Sequence, residues 1–333
     1  MAEVRKRAFS VGLNVRTDLA IEETERLADE TGSREIPGVK VEEEIQGAVK
    51  ITRVSIQTEE GAHAMGKEIG TYVTVEAPPL LERNRILEDG ISKALAKEFS
   101  AVAALKPDQS VLVVGLGNWN ATPDALGPKV VGEILVTRHL RDYVPPELKG
   151  NLRAVAAISP GVLGLTGIET MEIVKGIVDR IRPDLVVAVD ALCARNIQRI
   201  LSTIQIADTG ISPGSGVGNR RTGLNRDTLG VPVVAIGVPT VVRAITIASE
   251  TIDTLVNRLS GFHKLFQILR AMGGEDKEAL IDEVLRPSVG SLVVTPKEID
   301  TLIQETSRVI AGGLNAALHP NITAEDISRY LMG

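Results

Sequence analysis

A single cysteine, Cys193, stands among 333 residues, so no disulfide can form within the chain and the composition suits a reducing compartment. Aromatic residues make up only 2%, too few for the stacking platforms that bind single-stranded nucleic acid. Histidine is scarce as well: His63, His139, His263 and His319 are far apart in sequence, and no HExxH or Cys cluster offers a metal site. No run approaches the roughly 18 apolar residues of a membrane span. The charged start Met1-Ala-Glu-Val-Arg-Lys-Arg leads into no apolar segment, so the expectation is a cytoplasmic protein, neither secreted nor membrane-embedded. Positive charge is not in excess either, since the net charge is −6, which argues against a general nucleic-acid binder.

What is present is a large supply of aliphatic residues. With 44% hydrophobic and 24% charged residues the chain can bury a substantial core built from Val, Ile, Leu and Ala. From Val111 onward short β-branched runs alternate with helical patterns, the signature of a three-layer α/β fold with a mostly parallel central sheet covered by helices on both faces. Ser110-Val-Leu-Val-Val-Gly reads as a strand, and Pro123 opens a helical pattern running to about Leu140. Arg153-Ala-Val-Ala-Ala-Ile is a second strand, followed by a helix that ends near Pro183, and Asp184-Leu-Val-Val-Ala-Val is a third strand ending at Asp190. Thr203–Ala207, Val231–Gly237 and Leu292–Thr295 are further strands; Thr240 to about Leu259 and Pro296 to about Leu318 read as helices. Upstream, Ala48–Ile56 and Gly70–Glu76 extend the sheet and Leu80–Leu105 is a long helix. No repeat or long linker divides the chain. The expected organisation is one elaborated domain, 19–333, preceded by a detachable arm, 1–18.

In an open α/β sheet, reactive groups gather at the carboxyl ends of the strands. That rule selects Asp124, in Gly115-Leu-Gly-Asn-Trp-Asn-Ala-Thr-Pro-Asp124, and Asp190. Two neighbouring carboxyls can hydrolyse an amide when one is ionised to activate water and the other holds a proton for the carbonyl or the leaving nitrogen. Each also has a structural reading: Asp124 as a first-turn acid favoured by a helix dipole, and Asp190 as an N-cap for Ala191-Leu-Cys-Ala-Arg. Trp119, the only tryptophan, is either a packing residue or a wall of the cleft. Asp208-Thr209-Gly210 spells the triplet of pepsin-like proteases, but one copy exists where that mechanism uses two, so a strand-end turn is the alternative. The loop Pro213-Gly-Ser215-Gly-Val-Gly-Asn-Arg220-Arg221 offers backbone donors and two guanidinium groups to an acidic ligand, or is a plain surface loop. Asn118, Asp208, Ser215, Arg220 and Arg221 thus form the candidate supporting set. Cys193 lacks a histidine partner and reads as an inert core thiol. Gly115-Leu-Gly-Asn-Trp-Asn lacks the third glycine of a dinucleotide fingerprint, and no P-loop lysine follows.

The blocks Gly115-Leu-Gly-Asn-Trp-Asn-Ala-Thr-Pro-Asp-Ala-Leu-Gly-Pro, Ser159-Pro-Gly-Val-Leu-Gly, Asp184-Leu-Val-Val-Ala-Val-Asp-Ala-Leu, Asp208-Thr-Gly-Ile-Ser-Pro-Gly-Ser-Gly-Val-Gly-Asn and Gly237-Val-Pro-Thr-Val-Val occur in an order that resembles the germination protease family of spore-forming bacteria. The resemblance runs over nearly the whole chain. It implies a core like that of hydrogenase maturation proteases, Asp124 and Asp190 as the catalytic aspartates, and hydrolysis without metal or cofactor. It further implies small acid-soluble spore proteins as substrates, a homotetramer, residence in the forespore and spore core, and a precursor that matures as its surroundings acidify. Family substrates are cut within a pattern of acid, aliphatic or aromatic residue, Ala, variable residue and Glu, and this chain carries Asp18-Leu19-Ala20-Ile21-Glu22. Self-cleavage between Asp18 and Leu19 is therefore expected, releasing an arm with Arg5, Lys6, Arg7 and Arg16; Thr17-Asp18 ahead of Leu19 and Glu22 equally reads as a helix start. Two rivals remain: a phosphorylase-like enzyme holding phosphate with Gly214 to Gly218, Arg220 and Arg221, and a protein that captures spore proteins without cutting them.

Overall fold

The computed structural model describes residues 17–33, 35–77, 85–140, 152–214, 221–248, 251, 283 and 292–320. Strands β1 (Val39–Gln46), β2 (Val49–Ile56), β3 (Gly70–Glu76), β4 (Val111–Gly115), β5 (Val155–Ile158), β6 (Leu185–Ala194), β7 (Thr203–Ala207), β8 (Val233–Arg243) and β9 (Val293–Val294) join one sheet in the order β1-β2-β3-β7-β8-β6-β4-β5, with β9 paired to β8. The helices are α1 (Ala20–Thr31), α2 (Glu59–Met65), α3 (Arg85–Ala103), α4 (Leu126–Glu133), α5 (Leu163–Thr166), α6 (Thr170–Ile181), α7 (Arg226–Leu229) and α8 (Ile299–Leu318).

The period-two geometry of a strand explains why these apolar runs make three layers. Val111, Val113, Val187 and Val189 point to one face, where Leu95 and Phe99 of α3, Val130 of α4 and Ile303, Ile310 and Leu314 of α8 cover them. Leu112, Val114, Val186 and Ala188 point to the other, against Val174 and Val178 of α6 and Leu229 of α7. On that same second face, further along the sheet, Val54, Ile56, Tyr72 and Ala207 pack with Ala20 of α1 and Met65 of α2. Two separate helical covers thus leave the middle of the second face, at the carboxyl end of β6, to neither.

The expected central sheet flanked by helices is present, and its direction needs a correction. Parallel pairing is confined to β8-β6-β4-β5, while the pairings β1-β2, β2-β3, β3-β7, β7-β8 and β8-β9 are antiparallel. The β1–β2 pair is antiparallel because its connection, the hairpin turn between Gln46 and Val49, is too short for a parallel crossover. β1 had no counterpart in the sequence reading: its acidic run Glu42-Glu43-Glu44 suits an exposed edge strand and masks the alternation.

Two strands are longer than their apolar runs. β8 continues through Arg243, so helical structure begins at residue 244 rather than at Thr240; the extension is held by Val242 and Arg243 pairing with Val294 and Val293. β6 in turn follows β8 from Val186 to Ala194, with a register shift between Leu192 and Cys193. Asp190 therefore lies within the strand and not at its end, and the segment after it is extended, so it caps no helix. The helix expected from Pro123 to Leu140 is shorter, a 3-10 turn at Thr122–Asp124 followed by α4, and Ile134 is already extended. The rest of the helix expected after Thr240, the stretch around Gly273-Gly274, and Leu80 to Asn84 lie largely or wholly outside the described residues.

His319, at the end of α8, is buried with Nε2 donating to the Leu135 carbonyl oxygen at 3.2 Å. Burial pushes its pKa down from 6.5 to about 4. The neutral ring is favoured in the folded state, so its stabilisation is complete above pH 6.5 and is lost as the pH falls through that range, on the order of 3 kcal/mol in all. Thermal unfolding followed from pH 7 to 4 should show wild type losing stability relative to His319→Gln across this window; parallel curves would contradict the assignment.

Candidate functional site

Asp124 is set in place by the way the chain leaves β4. Gly117 has φ +109°, and a Cβ there would fall 2.0 Å from the Asp124 carbonyl oxygen, so only glycine lets the loop fold this tightly. The turn brings Asn118 N–H to within 2.8 Å of Asp124 Oδ2, and Thr122 Oγ1 anchors it to Asp300 of α8 at 2.8 Å. Asn118 thus acts on Asp124 through its backbone; its side chain accepts from Asn120 N–H. Asp124 lies in the first turn of the short 3-10 segment Thr122–Asp124, ahead of α4, which begins at Leu126. Partial burial raises the Asp124 pKa, and the Asn118 N–H opposes the rise.

Asp190 is 5% exposed. Its Oδ1 accepts from Ala191 N–H at 2.9 Å. Burial pushes its pKa well above the ordinary carboxylate range, and the nearby negative charges of Asp124 and, more weakly, Asp18 push it further. The two loops meet through the backbone: Leu116 N–H donates to the Val189 carbonyl at 2.8 Å, and Gly127 packs so closely that a Cβ would lie 2.5 Å from that same oxygen. Asp190 is the more deeply buried member and has the stronger preference for the protonated form, while Asp124 is raised by burial.

The third carboxyl of this group belongs to the segment read as a cleavage sequence. Asp18 Oδ2 accepts from Cys193 N–H at 3.1 Å, and Leu19, fully buried, packs with Ile21 against Leu192 and Ile211. The carbonyl oxygen of Asp18 accepts from Lys67 Nζ and from Gln205 Nε2, both at 3.0 Å. Glu22 is held by the N–H groups of Arg195 and Asn196 and by the Thr17 hydroxyl, which also accepts from Leu19 N–H. Arg199, 7% exposed, joins this anchor by ion-pairing with Glu25 and Glu76. α1 begins at Ala20 with Leu19 as its N-cap and no side-chain cap, so a helix does start here but neither Thr17 nor Asp18 caps it.

The remaining candidates lie elsewhere. Asp208 follows β7, where its Oδ1 accepts from Thr71 N–H at 2.7 Å and Thr209 Oγ1 donates to the Tyr72 hydroxyl at 3.2 Å, so Asp208-Thr209-Gly210 is a turn stitched to β3. Arg221 Nη1 pairs with Glu169 at 3.1 Å on the surface; Ser215 and Arg220 lie outside the described residues, as does the arm with Arg5, Lys6, Arg7 and Arg16. Cys193 is buried and its thiol is pushed up to about 12, in keeping with an inert core residue. Trp119 is 50% exposed, its ring over Gly161, where a Cβ would lie 3.1 Å from it. Among the described residues no group of three or more His, Cys, Asp and Glu is assembled as a metal site, and no described helix is long and apolar enough to cross a membrane. Lys67 and Gln205 were not candidates from the sequence, because neither stands in a motif.

By similarity the chain is a peptidase: a family model described as germination protease matches residues 15–265 and 259–331. The germination protease of Caldanaerobacter subterraneus is 54% identical over 323 residues, covering 96% of this chain and 98% of that protein. That of Bacillus subtilis is 43% identical over 355 residues, covering 95% and 96%. The chain belongs to the germination protease family. A solved [NiFe] hydrogenase maturation protease, HycI from Thermococcus kodakarensis KOD1, aligns at 19% identity and a TM-score of 0.34, over 68% of this chain and 98% of that one, a likeness too slight to bear on the site.

Replacing Gly117 by Ala is expected to force the Asp124 turn outward at a cost of about 1–3 kcal/mol. Amide exchange at Asn118 should accelerate while β4 stays protected; unchanged exchange at Asn118 would show that the turn tolerates a side chain.

Proposed function

We propose that this chain is the precursor of an endopeptidase that cuts itself between Asp18 and Leu19 and then degrades small acid-soluble spore proteins during germination, with Asp124 and Asp190 as the reacting carboxyls. The observation that carries this reading is the convergence of three carboxyls on the end of β6: Asp190 buried in the strand, Asp124 beside it, and Asp18 close enough to raise Asp190 further. A precursor that already holds Asp18 near Asp190 makes hydrolysis a first-order event.

In the proposed reaction Asp124, ionised and steadied by Asn118 N–H, takes a proton from water as its oxygen attacks the Asp18 carbonyl carbon. Asp190 holds the second proton, which goes to the Leu19 nitrogen as the C–N bond breaks. One water is consumed, a carboxylic acid and an amine are formed, and the pair's proton has passed from Asp190 to Asp124. Residues 1–18 are then the removed arm and 19–333 the peptidase domain, working as a homotetramer in the forespore and spore core, as the family resemblance leads us to expect. The reaction needs the pair to carry one proton between them. Since Asp190 is raised, that state persists above the ordinary carboxylate range and is lost as the pH climbs through the Asp190 pKa, so mild acidity favours cleavage.

Incubation of the full-length chain at mildly acidic pH, followed by N-terminal sequencing, should give a new terminus at Leu19. Asp124→Asn and Asp190→Asn should each slow its appearance by about 10²–10⁴-fold. Unimpaired cleavage in either variant removes that carboxyl from the mechanism.

A further inference from the structure

The second face of the sheet carries a row that runs across three strands. Asp190 of β6 pairs with Gly237 of β8, and Gly237 pairs in turn with Gln205 of β7. Residues paired across strands share a face, so Asp190 and Gln205 flank a position with no side chain, their backbones about 10 Å apart. Leu192, two residues beyond Asp190, packs over Gly237, where a Cβ would fall 2.4 Å from Leu192 Cδ1. Leu19 packs on Leu192, which brings the Asp18–Leu19 peptide to this row.

Gln205 grips the backbone on both sides of that peptide. Its Oε1 accepts from Ala20 N–H at 2.7 Å, which fixes the amide so that Nε2 donates to the Asp18 carbonyl oxygen at 3.0 Å. The second donor comes from α2. That helix stops at Gly66, with φ +58°, and Lys67 N–H closes back on the Ala62 carbonyl at 3.2 Å. The turn aims the Lys67 side chain at the arm, where Nζ donates to the carbonyls of Thr17 at 2.7 Å and Asp18 at 3.0 Å. A cation and an amide N–H therefore converge on one carbonyl oxygen, the one belonging to the bond that the proposed self-cleavage breaks.

We propose that Lys67 and Gln205 are catalytic residues of this cleavage, holding the Asp18 carbonyl oxygen and stabilising the negative charge it gains when water adds. The inference rests on the reading that the Asp18–Leu19 bond is the one cut. As the water oxygen bonds to the Asp18 carbon, the π pair of the carbonyl moves onto its oxygen, and the water proton goes to Asp124. Lys67 Nζ and Gln205 Nε2 keep that oxygen as an alkoxide without transferring a proton to it. When the C=O bond re-forms, the C–N pair leaves on the Leu19 nitrogen and takes the proton of Asp190. With the oxygen held in this way, the proton on Asp190 stays available for the leaving nitrogen.

The test measures the first-order appearance of the Leu19 terminus in the full-length chain at one mildly acidic pH, together with peptide hydrolysis by the matured enzyme on a peptide carrying the Asp18 to Glu22 pattern. Lys67→Met and Gln205→Glu should each slow self-cleavage by about 10²–10³-fold and lower kcat on the peptide with KM little changed. Lys67 is half-buried beyond a helix end, so its substitution spares the core and keeps the test decisive even where Gln205→Glu does not fold. Variants that cleave at the wild-type rate, or that raise KM with kcat intact, overturn the catalytic role and leave the cleavage reading standing. A wild-type chain that never acquires a Leu19 terminus fails at the cleavage reading itself.

Discussion

The constraint on which this molecule depends is a carboxyl group buried inside a sheet. Asp190 sits in a run of Leu, Val and Ala that is buried on both faces, where an ionised side chain without a cationic partner is costly. Its one close donor among the described residues is the neighbouring Ala191 N–H. Burial favours the protonated form of this residue, and the nearness of Asp124 and Asp18 strengthens the same preference. A proton held in reserve next to an ionisable neighbour is the property that a hydrolytic pair requires.

The surrounding elements can be understood as ways of delivering groups to that proton. Two helical covers, α6 with α7 and α1 with α2, stop short of each other over the second face, and the segment at residues 17–19 runs across the gap. The glycines in this region permit close approach: Gly117 lets the Asp124 turn fold back, and Gly237 leaves the row between Asp190 and Gln205 clear for Leu192 and, through it, Leu19. The arm's end is held by many contacts of different kinds, among them the N–H groups of Arg195 and Asn196 on Glu22 and the ion pairs of Arg199. Those contacts fall on the Leu19 side of the cleavage sequence as well, so α1 keeps most of its anchoring if residues 1–18 depart. What departs with Asp18 is one of the two negative neighbours of Asp190.

Much of the sheet was legible in the sequence because β4 and the first five residues of β6 are unbroken aliphatic runs, and a fully buried strand has no other way to look. The ends of β6 and β8 were not legible. Asp190 interrupts the apolar pattern, and a polar residue after a run of Val and Ala reads as a boundary; only the long parallel partner and the late pairing with β9 carry the strand onward to Ala194. Direction was misjudged for the first part of the sheet, since alternation reports which side a residue faces and not which way the neighbouring strand runs. Asp124 could be picked from its position after β4, and Asp190 from the end of an apolar run that in the structure is the middle of β6. Lys67 and Gln205 could not, because an isolated lysine after a helix and a glutamine in a strand acquire their meaning only from the carbonyl they meet 138 residues apart, at a site that neither local sequence announces.

The most direct test of the account is the protonation state of Asp190 in the intact chain. Infrared spectroscopy at the mildly acidic pH of the cleavage reaction should show a carboxylic-acid carbonyl band that disappears in Asp190→Asn and survives in Asp124→Asn, because burial and not the neighbouring charge is the larger cause of the raised Asp190 pKa. A spectrum in which Asp190→Asn removes no such band would mean that Asp190 is ionised or that another carboxyl holds the proton, and the division of labour between Asp124 and Asp190 would have no basis.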